Sequence, residues 1–312
     1  MKKTVFLFPG DGIHQKDMLH ILRESEEFFC EFFQRYLPET EGIYSVPLMD
    51  ETYDDLIIDQ MRIVFSEIAI ASFWRSKGVN PSAVVGHSLG EYAAACFAGI
   101  LDIRQCMELI CSRGTVLEKT YELFRMGVIH ASLETVGKII SDTGNTAEIS
   151  AVNGRKLVTV SGREADVKLL IDECERRNIK ANLTAVHGGG HNSFLKNYCE
   201  SFANETADKK FSEPKIHMIP TAHMCGVKSP SDGRYWLEQM LCPVDLMSAF
   251  NSPDVRSAEY LIDVGVSPAL LGMAIEEFRG SEKRFIPSIR AGRNYRRQLE
   301  NALDAAASYG LI

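Results

Sequence analysis

The stretch AVVGHSLGEY, residues 83–92, joins a short apolar run to a glycine-bounded turn and then to a run of small residues. The apolar residues predict a buried strand at 83–86, and the small residues predict a helix at 91–99. Gly86 and Gly90 flank Ser88 in a Gly-x-Ser-x-Gly pentad. A pentad between a strand and a helix is typical of a nucleophile elbow, in which a serine lies on a strained turn. We therefore predict that Ser88 is a catalytic nucleophile that carries an acyl group, rather than only a turn residue.

The sequence on either side of the elbow continues the alternation of strands and helices. Residues 5–8 predict a buried strand that ends in Pro-Gly, and residues 61–77 predict a buried helix. Residues 261–265 predict another strand, followed by a helix from Pro268. Strands that alternate with helices indicate an α/β domain with a mostly parallel sheet. We assign residues 1–125 and 190–312 to this large domain, with a helix predicted at 192–208.

A different pattern lies between these two parts, at residues 126–189. The predicted order is strand, helix, strand, strand, helix, strand, at 127–131, 134–142, 147–152, 156–161, 163–177 and 179–186. This βαββαβ order is the ferredoxin-like arrangement. We therefore predict a small ferredoxin-like domain inserted into the large one.

Composition excludes several classes of protein. The 312 residues carry a net charge of −8, which argues against a nucleic-acid binder, and 45% of them are hydrophobic, as in ordinary globular proteins. The N-terminal apolar run is too short for a signal peptide, and no segment has the length of a membrane span. The eight cysteines form no Cys-x-x-Cys pair. We expect a cytoplasmic protein with reduced thiols, no metal site and no contact with membranes or nucleic acid.

A serine nucleophile needs a base, and histidine is the usual one. The sequence has eight histidines. His191 follows three glycines at the predicted return to the large domain, where a loop can carry a side chain into a cleft. His187 lies four residues earlier, and spacing alone leaves the choice between the two open.

The order of the motifs resembles that of the malonyl-CoA:acyl carrier protein transacylase family, which includes the acyltransferase domains of polyketide synthases. The resemblance covers essentially the whole chain. It is carried by FLFPGDG (6–12), GHSLGEY (86–92), RG (113–114), AVNG (151–154), GH (190–191), YWLEQ (235–239), CPV (242–244) and VGVSP (264–268). It implies an α/β-hydrolase-like large domain with a parallel sheet and an inserted ferredoxin-like domain.

The resemblance also implies a role for each matching residue. Ser88 takes the acyl group, and His191 is the general base and acid. The backbone N–H groups of Asp11 and Leu89 form the oxyanion hole. Arg113 binds the free carboxylate of a malonyl group, since a guanidinium holds a carboxylate by two charge-assisted hydrogen bonds. The remaining matches are Gln239, whose carbonyl orients the histidine, and the pocket-lining residues Gln60, His87, Asn153 and Gly190.

Three positions depart from the family's pattern. Asp11 stands where the family has glutamine, and we expect its carboxylate to face solvent or to pair with a cation. Ile13-His14 replaces the common Ser-Gln. The tripeptide 188–190 is Gly-Gly-Gly, which matches neither usual specificity motif and leaves room for a larger α-substituent. Leu89 matches the residue of many malonyl-selective members.

We therefore expect an S-acyltransferase that moves a malonyl or related α-carboxyacyl group from coenzyme A to the phosphopantetheine thiol of an acyl carrier protein. The coenzyme A thioester is a substrate, and no bound cofactor is expected. The chain starts at its first motif and ends soon after its last, so we expect a stand-alone enzyme, and we expect it to be a monomer. Its tail at 288–299 resembles the close of polyketide synthase acyltransferase domains, so we expect it to act in trans in polyketide biosynthesis.

Acyl carrier proteins are acidic, and a C-terminal basic cluster offers them a docking surface or is merely a solvated face. Its members are Lys283, Arg284, Arg290, Arg293, Arg296 and Arg297. The alternative functions are an acyl hydrolase that clears carrier proteins, against which Arg113 argues, and the malonyl transacylase of fatty-acid synthesis. A non-catalytic carrier-docking protein and an ordinary α/β-hydrolase esterase fit the motifs less well.

Overall fold

A computed structural model of the protein describes residues 2–184, 188–222, 226–227, 229–292 and 294–312. Its strands, in chain order, are β1 (Thr4–Phe8), β2 (Ala83–Gly86), β3 (Phe124–Ile129), β4 (Glu148–Gly154), β5 (Leu157–Arg163), β6 (Ala181–Leu183), β7 (His217–Ile219), β8 (Val244–Asp245), β9 (Tyr260–Asp263) and β10 (Arg284–Pro287). Its α-helices are α1 (Met18–Ser25), α2 (Glu27–Tyr36), α3 (Leu56–Ser76), α4 (Gly90–Ala98), α5 (Ile103–Thr120), α6 (Leu133–Thr143), α7 (Glu164–Arg176), α8 (Glu200–Asp208), α9 (Gly233–Leu241), α10 (Leu246–Asn251), α11 (Pro253–Ser257), α12 (Ala269–Glu277) and α13 (Tyr295–Ser308). Short 3₁₀ helices lie at Leu37–Thr40 and Ser193–Tyr198.

The chain divides into two compact units. The larger unit comprises Met1–Cys111, Phe211–Pro220 and Asn251–Ile312, and the smaller unit comprises Ser112–Lys210 and Thr221–Phe250. No helix in the described ranges is both long enough and apolar enough to cross a lipid bilayer.

The larger unit contains a five-stranded sheet in the order β10-β9-β1-β2-β7, and every pairing in it is parallel. The predicted parallel sheet is thus confirmed. Phe8 pairs with Gly86 and Leu7 pairs with Asp263, so β1, β2 and β9 end at the same edge. Loops that follow the carboxyl ends of parallel strands are where open α/β sheets place their functional groups.

Glycines let two of these loops touch through their backbones. A Cβ atom at Gly90 would lie 2.0 Å from the carbonyl oxygen of Phe8, and one at Gly10 would lie 2.4 Å from the backbone nitrogen of Gly90. Gly86 has no room for a Cβ either, because the backbone of Glu91 would lie 2.4 Å from it. The glycines of the pentad and of the Pro-Gly turn are therefore required by packing.

Helix α3 of the larger unit is largely buried, with 16 of its 21 residues shielded from solvent. Asp55 begins it by accepting a hydrogen bond from the backbone N–H of Ile58 at 2.9 Å. Near its end, Phe73 stacks on Phe29 with ring centroids 5.1 Å apart, and Trp74 donates from Nε1 to Ser288 Oγ at 2.7 Å. Polar residues on such a helix face a dry interior, where each needs a partner.

The smaller unit contains the predicted ferredoxin-like pattern, with strand order β6-β3-β5-β4 and helices α6 and α7 packed against one core. This compact unit is larger than the predicted range of 126–189. Strand β8 adds to the sheet by pairing in parallel with β4, which attaches residues 221–250 to it. Periodicity within 126–189 carries no information about a strand supplied from so far along the chain.

The segment predicted as one helix at 192–208 is two pieces, which corrects that prediction. A 3₁₀ helix occupies Ser193–Tyr198, and α8 begins at Glu200. Cys199 separates them with φ −94° and ψ 5°. The strand predicted at 179–186 spans only Ala181–Leu183, and Ala185 and Val186 lie outside the described residues.

Substitution of Gly90 by alanine should destabilise the protein, whereas the same change at Gly137 should not. Gly90→Ala places a Cβ against the Phe8 carbonyl, and overpacking of this kind costs about 1–3 kcal/mol. Gly137 lies within α6, and a Cβ there meets nothing within 4 Å, so alanine should stabilise the helix by about 0.5–1 kcal/mol. Urea unfolding of both variants measures the difference, and equal midpoints would contradict the packing argument.

Candidate active site

Ser88 lies on the turn between β2 and α4, with its backbone at φ 52°, in the left-handed region that non-glycine residues rarely adopt. The turn is fixed by hydrogen bonds from His87 N to Phe8 O at 2.9 Å and from Glu91 N to Ser88 O at 3.1 Å. The side chain of Ser88 is 9% exposed, and His87 beside it is half-buried. A strained serine that precedes a helix N-terminus has the geometry of a nucleophile elbow.

The two predicted oxyanion donors follow the two touching loops. Asp11 comes directly after Gly10, and Leu89 comes directly before Gly90. Within the described ranges, neither the Asp11 N–H nor the Leu89 N–H donates to another protein group. Both are available to an oxygen that develops negative charge, as an oxyanion hole requires.

The carboxylate of Asp11 is exposed, as expected, but its partner is a neutral amide. Asp11 Oδ1 accepts from its own loop at Gly12 N, 2.9 Å away. Asp11 Oδ2 accepts from Nε2 of the buried Gln60 at 3.1 Å. The predicted pocket residue Gln60 therefore contacts the loop that carries Asp11.

Glu67, which sequence reasoning did not select, holds the same loop. Its Oε1 accepts from the backbone N–H of Gly10 at 2.6 Å, and the side chain is fully buried. Burial raises the pKa of Glu67 well above its ordinary value, and the nearby carboxyls of Asp263 and Asp11 raise it further. Burial likewise raises the pKa of Asp263 to about 7, although backbone N–H groups of Gly265 and Leu271 donate to it.

Ile13 and His14, which replace the common Ser-Gln, lie in different surroundings. Ile13 is buried beside Gly265 in the loop after β9. His14 Nε2 lies 3.3 Å from Asp59 Oδ1 on the first turn of α3. Burial raises the pKa of Asp59 to about 7, and a hydrogen bond with Asp54 adds to the shift. His14 thus belongs to a polar group at the start of α3.

In the smaller unit, His191 also has a left-handed backbone, with φ 57°, and its side chain is 5% exposed. Its backbone N–H donates to Met240 O at 2.9 Å, and its Nδ1 lies 3.0 Å from Cys242 O. A carbonyl only accepts, so Nδ1 carries the proton and Nε2 keeps its lone pair. This tautomer is the one that a general base needs.

The carbonyl that orients His191 belongs to Cys242, which corrects the assignment to Gln239. Gln239 lies inside α9, whereas Cys242 follows the helix with φ −104° and ψ 153°. The extended backbone of Cys242 turns its carbonyl out of the helix, where a side chain can reach it.

Asn192, directly after His191, is fully buried and anchors the loop. It donates from Nδ2 to Ser161 Oγ at 2.8 Å and to Gly189 O at 3.3 Å, and it accepts from Leu195 N at 3.2 Å. Buried amides that satisfy both ends in this way fix a backbone that would otherwise relax. The strained conformation of His191 is therefore held by the carbonyls of Met240 and Cys242 and by the anchored side chain of the next residue, Asn192.

The three glycines before His191 have different reasons to be glycine. Gly188 has φ +84°, which favours glycine. A Cβ at Gly189 would lie 2.6 Å from Ser161 Oγ and 2.7 Å from Phe124 Cβ. At Gly190, no described atom comes within 4 Å of an added Cβ. Gly190 alone is glycine without a steric reason, and it leaves open space beside His191.

Arg113 lies on α5, and although it is charged it is only 4% exposed. A buried guanidinium is expensive unless anionic groups or hydrogen-bond acceptors satisfy it. Asn153, at the end of β4, is also buried and donates from Nδ2 to Thr159 Oγ1 at 3.1 Å. Burial of Arg113 argues against the alternative of a surface arginine on a helix. A buried polar side chain at each of the two positions fits a polar binding function.

The predicted site residues thus fall into two sets. The larger unit carries Asp11, Gln60, His87, Ser88 and Leu89, and the smaller unit carries Arg113, Asn153, Gly190, His191 and Gln239. His187, the competitor for the role of base, lies outside the described residues.

The residues of the C-terminal basic cluster lie at opposite ends of strand β10. Lys283 and Arg284 lie at the amino end of β10, and the Lys283 ammonium group donates to backbone carbonyls, among them that of Val255 at 2.8 Å. They are therefore at the opposite edge of the sheet from Ser88. Arg290, Arg296 and Arg297 follow the carboxyl end of β10 and are exposed, and Arg293 lies outside the described residues.

We expected all eight cysteines to be reduced thiols, but Cys242 is disulfide-bonded. Disulfides depend on distance in space, which scattered sequence spacing does not show. In the ranges that the structure describes, no three His, Cys, Asp or Glu side chains group as metal ligands do.

The sequence profile of the acyl transferase domain family matches residues 5–311. The chain belongs to the acyl transferase domain family. Its curated relatives include the erythronolide synthase EryA2 of Saccharopolyspora erythraea, 28% identical over 93% of this chain, and the conidial pigment polyketide synthase PfmaE of Pestalotiopsis fici, 25% identical over 99%. The chain spans only 8% and 15% of the length of these two relatives.

Solved structures share the fold of this acyl transferase domain. The acyltransferase domain from module 8 of the salinomycin polyketide synthase superposes with a TM-score of 0.91 and 22% identity, covering 99% of this chain and 75% of that one. FabD from Acinetobacter baumannii superposes with a TM-score of 0.85 and 22% identity, covering 99% of both chains. The α/β-hydrolase-like fold with a second subdomain is thereby confirmed.

Asn192→Ala should destabilise the acyl transferase domain by about 1–3 kcal/mol, because it leaves buried donors and acceptors unpaired. Asn182→Ala is the matched control, since Asn182 is exposed and should change stability by no more than about 0.5 kcal/mol. Urea unfolding monitors both variants. An Asn192→Ala protein as stable as the control would show that the loop around His191 does not depend on this amide.

Proposed function

We propose that this acyl transferase domain moves a malonyl group, or an α-substituted malonyl group, from coenzyme A to the phosphopantetheine thiol of an acyl carrier protein. The intermediate is an ester on Ser88, and the protein acts in trans on a carrier protein of polyketide biosynthesis. The observation that carries the proposal is the strained backbone of Ser88, at φ 52°, on a turn whose neighbouring N–H groups are uncommitted. Such strain persists only where the surrounding structure enforces it.

In the first half-reaction, His191 Nε2 accepts the proton of Ser88 Oγ while Oγ attacks the thioester carbonyl. The carbonyl oxygen becomes an oxyanion and accepts hydrogen bonds from the N–H groups of Asp11 and Leu89. The C–S bond then breaks, and the coenzyme A thiolate takes the proton from His191. A positioned base contributes roughly 10²–10⁴-fold, and loss of one oxyanion donor costs roughly 10²–10³-fold.

The second half-reaction repeats these steps in reverse. His191 takes the proton of the carrier thiol, the thiolate sulfur attacks the Ser88 ester, and Ser88 Oγ leaves with the proton. The carbonyl of Cys242 holds the imidazole tautomer through both steps by accepting from Nδ1. A carbonyl serves here better than a carboxylate, because it adds no full negative charge near an anionic acyl group.

Arg113 sets the acyl class in this proposal. Its buried guanidinium suits a bidentate hydrogen bond with the free carboxylate of a malonyl group. The solved relatives support the choice, since one is the malonyl CoA-acyl carrier protein transacylase of Coxiella burnetii, with 20% identity and a TM-score of 0.84. The open space at Gly190 accommodates a substituent on the α-carbon.

The acidic carrier protein contacts the exposed arginines at the carboxyl edge of the larger unit's sheet. These are Arg290, Arg296 and Arg297, on the edge where Ser88 also lies. Attraction between opposite charges speeds the encounter of two proteins, and salt weakens this attraction. Lys283 and Arg284, at the other edge, take no part.

Ser88→Ala should abolish covalent labelling by radiolabelled malonyl-CoA. Without Oγ no ester can form, whereas Ser308→Ala, a change of an exposed serine on α13, should label like the wild type. Gel electrophoresis followed by scintillation counting measures the label. Equal labelling of the Ser88→Ala and wild-type proteins would contradict the assignment of the nucleophile.

Arg113→Ala should lower kcat/KM for malonyl-CoA by at least about tenfold, since a hydrogen bond to a charged group contributes about 1.5–3 kcal/mol. Acetyl-CoA, which has no free carboxylate, should lose much less. Arg104→Ala on the same helix is the control, because Arg104 is exposed. A parallel loss with both acyl groups would show that Arg113 has a structural role only.

The fate of the acyl group separates transfer from hydrolysis. The purified chain, malonyl-CoA and a separately purified polyketide carrier protein should give malonyl-carrier protein, which intact-mass spectrometry detects. Free malonate in place of the loaded carrier would select the hydrolase, and a strong preference for a fatty-acid carrier protein would select the fatty-acid transacylase.

A further inference from the structure

Helix α3 makes two contacts with the loop that carries Asp11. Gln60 Nε2 donates to Asp11 Oδ2 at 3.1 Å, and Glu67 Oε1 accepts from Gly10 N at 2.6 Å. The two residues are seven positions apart, which is about two helical turns, so both lie on the same face of the helix. Both side chains are buried, and both contacts fall within the larger unit.

These contacts fix the Asp11 N–H from either side. Glu67 holds the peptide nitrogen before it, at Gly10, whose φ of +72° is a conformation that glycine adopts without steric cost. Asp11 Oδ1 accepts from Gly12 N, and Gln60 holds the other carboxylate oxygen, so the residue after it is fixed as well. The direction of the Asp11 N–H therefore depends on α3.

The chemistry of Glu67 fits positioning rather than proton transfer. Its Oε2 is buried and, among the described residues, has no hydrogen-bond partner. An ionised carboxylate in this place would oppose the negative charge of an oxyanion on the neighbouring loop. Burial raises the pKa of Glu67, which favours the neutral form, and in that form the side chain accepts from Gly10 N without adding negative charge.

We propose that Glu67, with Gln60 on the same face of α3, positions the Gly10–Asp11–Gly12 loop so that the Asp11 N–H serves as an oxyanion donor. Glu67 is a positioning residue, since it touches the loop and not the reacting atoms. This inference rests on the proposed function, because it gives a role to a group only if Ser88 forms an acyl ester.

The test compares Glu67→Met with Glu67→Gln. Met has a similar length but offers no oxygen to Gly10, whereas the Gln side-chain carbonyl preserves the acceptor without a charge. Glu67→Met should lower kcat for acylation of Ser88 by about 10-fold or more, approaching the roughly 10²–10³-fold cost of losing one oxyanion donor. KM for malonyl-CoA should stay within about twofold, and Glu67→Gln should retain kcat within about threefold.

A buried polar residue on the same helix provides the control. Ser66 is fully buried and donates to Ile63 O within its own helix, so Ser66→Ala perturbs α3 without touching the loop. It should keep kcat within about twofold. Circular dichroism and thermal unfolding establish that each variant is folded before kinetics are measured.

A second measurement tests the oxyanion donor directly. A fluorophosphonate reacts with Ser88 and places its phosphoryl oxygen where the oxyanion forms, so its rate of labelling should fall in Glu67→Met by the same factor as kcat. A folded Glu67→Met that labels and turns over like the wild type would overturn the inference. So would a Glu67→Gln variant as slow as Glu67→Met, because a neutral acceptor would then not suffice.

The failure of the proposed function gives a different result. If the wild-type protein forms no Ser88 ester with any acyl-CoA, both the proposed function and this inference are wrong. If the wild type forms the ester and only the Glu67 series shows no effect, the inference alone is wrong.

Discussion

The backbone contact between the loop after β1 and the turn after β2 is the constraint on which the conformation of Ser88 depends. Phe8 O would lie 2.0 Å from a Cβ at Gly90, and Gly90 N would lie 2.4 Å from one at Gly10. This approach is possible only without side chains, and it holds Ser88 in a strained conformation next to two uncommitted N–H groups. The glycines therefore set both the position of Ser88, our proposed nucleophile, and the position of the two N–H groups that we propose as oxyanion donors.

Two acids near this contact are buried, and loop N–H groups donate to both of them. Burial raises the pKa values of Glu67 and Asp263, the latter to about 7, and both groups accept hydrogen bonds from loop N–H groups. Neutral acceptors can fix a loop without opposing an oxyanion. The exposed Asp11 carboxylate, which replaces the family's glutamine, lies on the same loop and accepts from Gly12 N and from Gln60 Nε2.

The sequence predicted the strand, turn and helix around Ser88 because glycine spacing and apolar runs are local signals. The ferredoxin-like order of strands was predicted for the same reason. Strand β8 could not be assigned to that sheet, since it pairs with β4 from far along the chain. Sequence pattern also gave no reason to choose Cys242 over Gln239, because the choice depends on where α9 ends.

Glu67 was missed because an acidic residue in an apolar helix usually lies at the surface. A usable signal was its spacing of seven from Gln60, which puts both on one face of α3. The sequence also could not show that Gly190 has room for a side chain and Gly189 does not. Ser161 and Phe124 come close to Gly189 only in the folded structure.

The measurement that most directly tests the account is a competition among acyl-CoAs, followed by peptide mapping of the acylated protein and mass analysis of a carrier protein added afterwards. The account predicts that malonyl or an α-substituted malonyl group is selected, is found on the peptide containing Ser88, and then moves to the carrier. Acylation at another residue, or an uncharged acyl group preferred over every malonyl group, would contradict it.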